Sequence, residues 1–396
     1  MVIYMDRNLI QKLRSNQFHI MGTEKPRPLN ITGKIRLFPP VCFILLLLWS
    51  DPGFCESQVR SASNWIVPIP HPITSLLRAR QVQHELSMTM PQINDAERVI
   101  DNIDLLLWRL RDLPHQQHND EAGMLVRKLR KEVSQILSPL QIERLNQLTW
   151  QAIGIAAVLE PEVTLKLNLS DGQITKIRIL LNASYEKLTA LKRDTEIRSE
   201  SRKISYVKKL REETEKNVIS VLNSYQRSTL QKLMGRPFNL SQVRIVACKA
   251  PEFDVDTWIN KSKVTLSELT GKVTVVHFYA FGCGNCIRTL PYYNKWRDLF
   301  PSDVFQIVGI HRPETQQERD IDKVKKKAAE AGIEYPVAID NESMMWNAWA
   351  NCIWPGIYLI DKNGYVRYWW YGELNWQGAE SEKYLRSKIQ ELTEES

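Results

Sequence analysis

The stretch Val273–Pro291, VTVVHFYAFGCGNCIRTLP, decides the fold of this chain. Its first part, 273–279, consists mainly of apolar, aromatic and β-branched residues, which is typical of a buried strand. A short turn then leads to Cys283-Gly284-Asn285-Cys286 and to the start of a helix. Unpaired N–H groups and the dipole at a helix N-terminus stabilise an anion, so we expect the thiolate of Cys283 to be stabilised. Strand, turn and helix together predict a dithiol–disulfide exchange site.

Half of a zinc site is the alternative for two cysteines at this spacing. A zinc site needs a second pair of ligands, and the chain contains neither another CxxC nor an HxxxH. Cys248 and Cys352 each stand alone. We interpret both as small core residues, with a third redox cysteine at position 352 as the alternative. The sequence therefore favours redox chemistry and predicts neither a metal nor a cofactor.

Length and composition describe an ordinary globular protein. The 396 residues leave room for two or three domains, and 43% of them are hydrophobic and 25% charged. The net charge of +8 comes from Lys and Arg residues that are spread among acidic residues along helical stretches. No basic stripe is interleaved with aromatic residues, so we expect no binding to nucleic acid.

Residues 1–57 are predicted to be an export segment. Lys34 and Arg36 precede an apolar run, 41–49, that is shorter than the roughly 20 residues of a membrane span. Cys55 is a candidate site for a lipid anchor, but Phe54 stands where a lipobox has a small residue. We therefore expect a periplasmic or otherwise extracytoplasmic protein that contacts the membrane only through this signal or an anchor. In that oxidising compartment a partner must set the redox state of the CxxC.

The first half of the remaining chain is predicted to be helical. Residues 58–93 are rich in Ser, Pro and Gln and predict a linker, whereas 94–240 shows helical periodicity and predicts five or six helices. The form Leu-(Ser/Asn)-x-x-Gln, which can make a capping box, occurs at Leu137–Gln141, Leu169–Gln173 and Leu222–Gln226. This form also resembles the LTxxQ motif of small periplasmic proteins of the Spy/CpxP type, which implies a chaperone-like role.

After Leu240 short strand-like runs alternate with helical stretches, and an Asn363-Gly364 hairpin turn follows. This pattern predicts a mixed sheet with helices on both faces. We place the boundary between Leu240 and Pro251 and expect the two halves to fold independently.

Residues from about 250 onward resemble the thioredoxin fold, nearest to exported thiol–disulfide oxidoreductases of the TlpA/ResA and DipZ types. The resemblance rests on Ala250-Pro251-Glu252-Phe253, on the run CGNCIRTLPY at Cys283–Tyr292 and on Trp354-Pro355. It implies an α/β thioredoxin-like domain over 245–396, preceded by the all-α domain.

The resemblance also implies roles for individual residues. Cys283 would be the attacking nucleophile and Cys286 the resolving cysteine. Pro355 would be the cis-proline beside the disulfide and, with Trp354, would bind an extended substrate segment. Gly282 and Asn285 stand where thioredoxin has tryptophan and proline, which leaves the direction of exchange open.

His277 lies six residues before Cys283, where thioredoxins have a buried acidic residue under the second cysteine. We expect its imidazole to accept the proton of Cys286 during resolution. A neutral buried histidine that is hydrogen-bonded to the backbone is the alternative.

The resulting hypothesis is a thiol–disulfide oxidoreductase that acts on protein dithiols and disulfides. The sequence contains no counterpart of the membrane domain of DipZ-type fusions, so we expect electrons from a separate membrane thiol donor of the CcdA type. One alternative is a holdase in which the helical half acts and the redox module is accessory. A thiol peroxidase is the other, although Val276 and Ala280 stand where the peroxidase pattern P-x-x-x-T-x-x-C has proline and threonine.

Overall fold

The computed structural model describes residues 69–113, 115–193 and 200–395. The expected export segment, with Cys55, lies outside the described residues, as do positions 58–68 of the expected linker. Within the described ranges, no helix is both long enough and apolar enough to span a membrane.

Nine α-helices precede the sheet in the described part of the chain. They are α1 (Pro72–Arg78), α2 (Arg80–Glu85), α3 (Met90–Arg109), α4 (His115–Ile136), α5 (Pro139–Ile153), α6 (Pro161–Leu167), α7 (Asp171–Arg193), α8 (Glu200–Val221) and α9 (Ser224–Met234). Seven of these, α3 to α9, begin at position 90 or later, where the periodicity predicted five or six. The short α6 begins with Pro161 in its first turn, which separates it from the preceding turn of 3₁₀ helix.

The segment expected as a linker contains two helices that pack into the helical core. Ile73, Leu76, Leu77 and Val82 of α1 and α2 are at most 1% exposed and pack with apolar residues of α3, α4 and α5. Pro72 stands in the first turn of α1, where a proline starts a helix without losing a hydrogen bond. The prolines from position 72 onward, which predicted a linker, therefore stand in the first turns of helices.

The capping-box glutamines meet in two pairs. Thr89 and Gln92 form a fourth capping box, which was not predicted from the sequence. The side-chain amide of Gln92 donates to Gln141 at 3.0 Å, and that of Gln173 donates to Gln226 at 2.8 Å. Each glutamine also donates to the backbone oxygen of a residue that precedes its partner's motif: Ile136 for Gln92, Leu86 for Gln141, Val221 for Gln173 and Leu167 for Gln226. The helical half therefore uses one arrangement twice.

The second half forms one mixed sheet of seven strands in the order β1-β7-β6-β3-β4-β5-β2. The strands are β1 (Cys248–Lys249), β2 (Trp258–Ile259), β3 (Val273–Tyr279), β4 (Phe305–His311), β5 (Val337–Ile339), β6 (Gly356–Ile360) and β7 (Tyr365–Tyr371). The helices of this half are α10 (Gly284–Leu299), α11 (Ile321–Glu330), α12 (Met344–Ala348) and α13 (Ser381–Glu394). Strand β3 pairs in parallel with β4 and antiparallel with β6, which confirms the expected α/β class.

Alternating residues of β3 supply two cores, one on each face of the sheet. Val275 and Tyr279 pack with α10, α11 and α13 on one face, and Val276 and Phe278 pack with α12 on the other. Trp108 of α3 belongs to this second core. It is fully buried, and its ring meets Trp369 edge-on with 4.5 Å between centroids. The two halves share a core, so the structure argues against the independent folding expected from the sequence.

Candidate active site

The two cysteines lie at the N-terminus of α10, directly after the turn that follows β3. Cys283 is the N-cap residue, and the backbone N–H of Cys286 donates to its Sγ at 3.3 Å. A disulfide joins the two residues, whose Cα atoms are 5.3 Å apart. Cys283 is 9% exposed and Cys286 only 1%. The helix N-terminus can therefore stabilise a thiolate at Cys283, which is the more accessible of the two sulfurs.

Two titratable side chains from the β4 side hold the turn before Cys283. The N–H of Phe281 donates to His311 Nε2 at 3.4 Å, and the N–H of Gly282 donates to Glu318 Oε1 at 2.6 Å. The other oxygen of Glu318 accepts from the N–H groups of Glu314 and Thr315 at 2.6 and 2.8 Å. Glu318 is only 2% exposed, so its carboxylate exchanges water for three backbone donors.

His311 and Glu318 are site residues that were not predicted from the sequence. One signal was available for His311: β4 runs parallel to β3, and residues at the carboxyl ends of parallel neighbours lie side by side. Tyr279, the last residue of β3, is in register with His311. Glu318 follows in an irregular segment with no such pattern, and only the folded chain brings it to Gly282.

Gly282 leaves room for this carboxylate. A Cβ atom added at this position would overlap Glu318 Oε1. The departure from thioredoxin, which has a tryptophan here, therefore has a local steric reason.

His311 is an uncharged acceptor in this arrangement. Burial lowers its pKa to about 4, although the carboxylate of Glu318 acts in the opposite direction. A neutral imidazole keeps one ring nitrogen able to accept the N–H of Phe281.

His277 is fully buried in the middle of β3. Its Nε2 lies 3.0 Å from the hydroxyl of Tyr335, and its ring stacks on Tyr293 with 4.1 Å between centroids. The hydrogen-bond partner is thus a side chain, not the backbone expected in the alternative interpretation. Burial lowers the pKa of His277 to about 3, so the ring is uncharged near neutral pH. A base with so low a pKa takes up a thiol proton poorly.

Trp354 and Pro355 lie at the end of the sheet from which the CxxC turn leaves. Their peptide bond is cis, and the next residue, Gly356, pairs with Phe278 near the end of β3 that leads to the CxxC. The ring of Trp354 packs against the core that contains both cysteines. It also lies 4.3 Å from the ring of Trp346, between centroids. Trp354 and Pro355 thus line the same edge of the sheet as Cys283.

The other two cysteines differ from each other. Cys248 is completely buried, and burial raises the pKa of its thiol, as expected for a core residue. The interpretation of Cys352 as a core residue was wrong, because its side chain is exposed and its Sγ donates to Asp112 at 3.8 Å. The backbone of Ala350 has a φ of +46° just before it, which turns the chain there. No cluster of three or more His, Cys, Asp or Glu side chains suited to a metal occurs among the described residues.

The model of the AhpC/TSA family matches residues 246–369 of this chain. That range contains the disulfide cysteines Cys283 and Cys286, and also His311, Glu318 and Pro355.

Three curated proteins are similar to the same half. Protein DipZ of Mycobacterium bovis is 35% identical over 127 residues, which are 31% of this chain and 18% of DipZ. Thiol-disulfide oxidoreductase YkuV of Bacillus subtilis is 33% identical over 112 residues, 28% of this chain and 74% of YkuV. Thiol-disulfide oxidoreductase ResA of Geobacillus kaustophilus is 30% identical over 122 residues, 31% of this chain and 67% of ResA. The chain therefore spans less than a fifth of DipZ, but two thirds or more of the two shorter relatives.

Proposed function

Since the chain belongs to the AhpC/TSA redoxin family, in its TlpA/ResA/DipZ-type branch, we propose that it is a thiol–disulfide oxidoreductase acting on protein substrates. The observation that carries this proposal is the Cys283–Cys286 disulfide at the N-terminus of α10. A dithiol–disulfide pair supplies or takes up two electrons without any other group.

The exchange proceeds in two displacements. In the reduced protein the Cys283 thiolate attacks one sulfur of a substrate disulfide. The Cys283–substrate bond forms, the substrate disulfide breaks, and its other sulfur leaves as a thiolate that takes up a proton. Cys286 then loses its proton and attacks Cys283 Sγ. The Cys283–Cys286 bond forms, the Cys283–substrate bond breaks, and the second substrate sulfur leaves as a thiolate that takes up a proton. Two electrons have then passed from the protein to the substrate, and the same steps in reverse would oxidise a substrate dithiol.

Exposure and hydrogen bonding support this order of attack. Cys283 presents 9% of its surface to solvent, whereas Cys286 lies beneath it at 1%. The N–H of Cys286 lies 3.3 Å from Cys283 Sγ, where it stabilises negative charge during the first attack. Trp354 and Pro355 would bind the substrate segment that carries the disulfide.

His277 is proposed to be a neutral packing residue under α10, with no direct part in the resolution step. Its ring stacks on Tyr293, which lies two turns after Cys286 on α10 and belongs to the same core. Its lowered pKa argues against a proton transfer, so packing against Tyr293 under α10 is the role that we propose.

The proposed location is extracytoplasmic, with a protein dithiol or disulfide as substrate and a separate membrane thiol donor of the CcdA type. The basic and apolar pattern of residues 34–49 supports export.

Both alternative functions have less support. Val276 and Ala280 are buried apolar residues, so the threonine hydroxyl of the peroxidase pattern has no counterpart at its sequence position. Helix capping by the four paired glutamines accounts for the Leu-(Ser/Asn)-x-x-Gln motif without a holdase role.

Substitution of each cysteine tests the proposed function. Cys286→Ser should accumulate mixed disulfides with substrate proteins on non-reducing gels, because the second displacement is blocked. Cys283→Ser should form none, and both variants should lose the ability to reduce insulin with dithiothreitol as electron source. Cys248→Ala is the control, since that buried thiol takes no part in the exchange. Wild-type insulin reduction by Cys283→Ser would overturn the assignment.

A further inference from the structure

The side chain of Arg111, which follows α3, lies inside the second half of the molecule. Its side chain is 4% exposed, and its guanidinium carbon stands 4.0 Å above the ring of Trp108. Tyr358 and Tyr371, in the adjacent strands β6 and β7, flank it with ring centroids at 6.0 and 5.7 Å. A helical-half residue therefore places a buried cation against strands β6 and β7.

The hydrogen bonds of Arg111 converge on the loop between α12 and β6. Its Nη2 donates to the backbone oxygen of Ala350 at 2.7 Å and to that of Trp349 at 3.3 Å. Its Nε donates to the hydroxyl of Tyr371 at 2.7 Å. That hydroxyl in turn donates to Asp112 at 2.9 Å, so one guanidinium and one carboxylate from the helical half hold the same strand.

The loop that Arg111 holds is short and leads directly to Trp354 and Pro355. Ala350 has a φ of +46°, a conformation that a residue with a Cβ adopts only when its surroundings impose it. The next residue, Asn351, donates to the backbone oxygen of Ile353 at 2.9 Å and accepts from the hydroxyl of Tyr358 at 2.7 Å. Gly372, adjacent to Tyr371, donates its N–H to the oxygen of Pro355 at 2.8 Å. Both ends of the loop are thus tied to groups that Arg111 contacts.

A second buried arginine at the interface between the halves serves a different purpose. Arg78 forms ion pairs of 2.6 Å with Asp101 and Asp104, and its guanidinium carbon lies 4.7 Å from the ring centroid of Tyr365 at the far end of β7. Its ion pairs and hydrogen bonds go to these two carboxylates within the helical half, not to the loop, and it reaches the second half at the ring of Tyr365. Comparing substitutions of Arg78 and Arg111 therefore distinguishes an effect on the packing of the helical half from an effect on the loop.

We propose that Arg111 is a positioning residue through which the helical half sets the loop 349–355, and thereby the binding of protein substrates at Trp354 and Pro355. This rests on the proposed function. Arg111 touches neither cysteine, and it acts on substrate binding through the backbone oxygens that it holds. The helical half is thus a structural part of the substrate site.

The test compares Arg111→Gln with Arg78→Gln in the full chain. Insulin reduction would give KM and kcat, and alkylation of reduced protein by iodoacetamide would report Cys283 without a protein substrate. Loss of the charged hydrogen bonds to the loop should raise the KM for insulin by about tenfold in Arg111→Gln. The alkylation rate should stay within about twofold of wild type, since the helix N-terminus at Cys283 is unchanged. Arg78→Gln should leave both quantities near wild type.

Hydrogen exchange of the peptide that covers 349–355 provides a readout that does not depend on activity. Exchange in this peptide should be faster in Arg111→Gln and unchanged in Arg78→Gln. The milder Arg111→Lys keeps the charge but loses the planar set of guanidinium N–H donors, and its exchange rate should lie between those of wild type and Arg111→Gln. Arg111→Lys replaces Arg111→Gln if that variant does not fold.

Equal effects of the two arginine substitutions on KM and on loop exchange would overturn the proposal. An unchanged KM together with faster loop exchange would also overturn it, because the loop would then not govern substrate binding. A wild-type protein that fails to reduce insulin while Cys283 is alkylated would instead overturn the proposed function, and the exchange data would still decide whether Arg111 holds the loop.

Discussion

Glu318 is the residue on which the turn before the nucleophile depends. Its two oxygens accept from Gly282 on one side and from Glu314 and Thr315 on the other. In Glu318→Gln one oxygen becomes an N–H₂ group, so at least one buried N–H loses its acceptor. We predict that the free energy of unfolding falls by about 1–3 kcal/mol, as is usual for an unsatisfied buried donor. Urea denaturation of the purified protein measures this change.

A matched control for Glu318 lies four residues earlier. Glu314 is an exposed carboxylate on the same segment, and Glu314→Gln should change the free energy of unfolding by less than about 0.5 kcal/mol. If the two substitutions had equal effects, the hydrogen bond to Gly282 would not stabilise the turn.

At the scale of the elements, the paired glutamines join four helix starts into two units. Gln226 caps its own helix, accepts from and donates to Gln173, and donates to the oxygen of Leu167. Gln226→Ala should lower the free energy of unfolding by roughly 2 kcal/mol, because a cap and a buried acceptor both lose their partner. Thermal or urea denaturation measures the loss.

A double-mutant cycle tests the pairing itself. Gln173→Ala and Gln226→Ala together should cost less than the sum of the single changes, with a coupling of about 1 kcal/mol. Gln231→Ala, on the exposed side of α9, is the control and should have little effect. Strict additivity of the two changes would mean that each glutamine acts only as a cap.

For the whole molecule, buried histidines in both halves should make the fold sensitive to acid. Burial lowers the pKa to about 3 for His71 and His277 and to about 4 for His311, from an ordinary value of 6.5. The unfolded chain therefore binds more protons than the folded one as the pH falls below 6.5. The stability that these groups confer is fully present above that pH and is lost toward pH 4.

The expected slope is up to roughly 1.4 kcal/mol per pH unit for each such histidine. Denaturation curves at several pH values between 7 and 4.5 would measure it for wild type and for His277→Asn. The variant should lose stability less steeply, since it lacks one group that must take up a proton. Substitution of the exposed His84 by Asn is the control, and parallel curves for wild type and His277→Asn would contradict the prediction.

The sequence by itself determined the features that depend on neighbouring residues. Strand β3, the turn and the N-cap position of Cys283 all follow from one stretch of the chain, because each is fixed by side-chain pattern and spacing. The capping boxes of Gln141, Gln173 and Gln226 followed in the same way, since cap and glutamine stand three residues apart. The box at Gln92 was missed because the surrounding composition resembled a linker.

Only the tertiary structure decided the contacts that join distant segments. Glu318 reaches Gly282 across 36 positions, and Arg111 reaches Ala350 across 239. Neither contact has a periodic signal, because an irregular segment or a residue beyond a helix end has no fixed spacing to its partner. The burial of Trp108 in the second core likewise depends on how the halves pack, so the sequence alone did not reveal that the halves share a core. Local geometry specified the reactive cysteines, and long-range packing specified what holds the turn and the loop beside them.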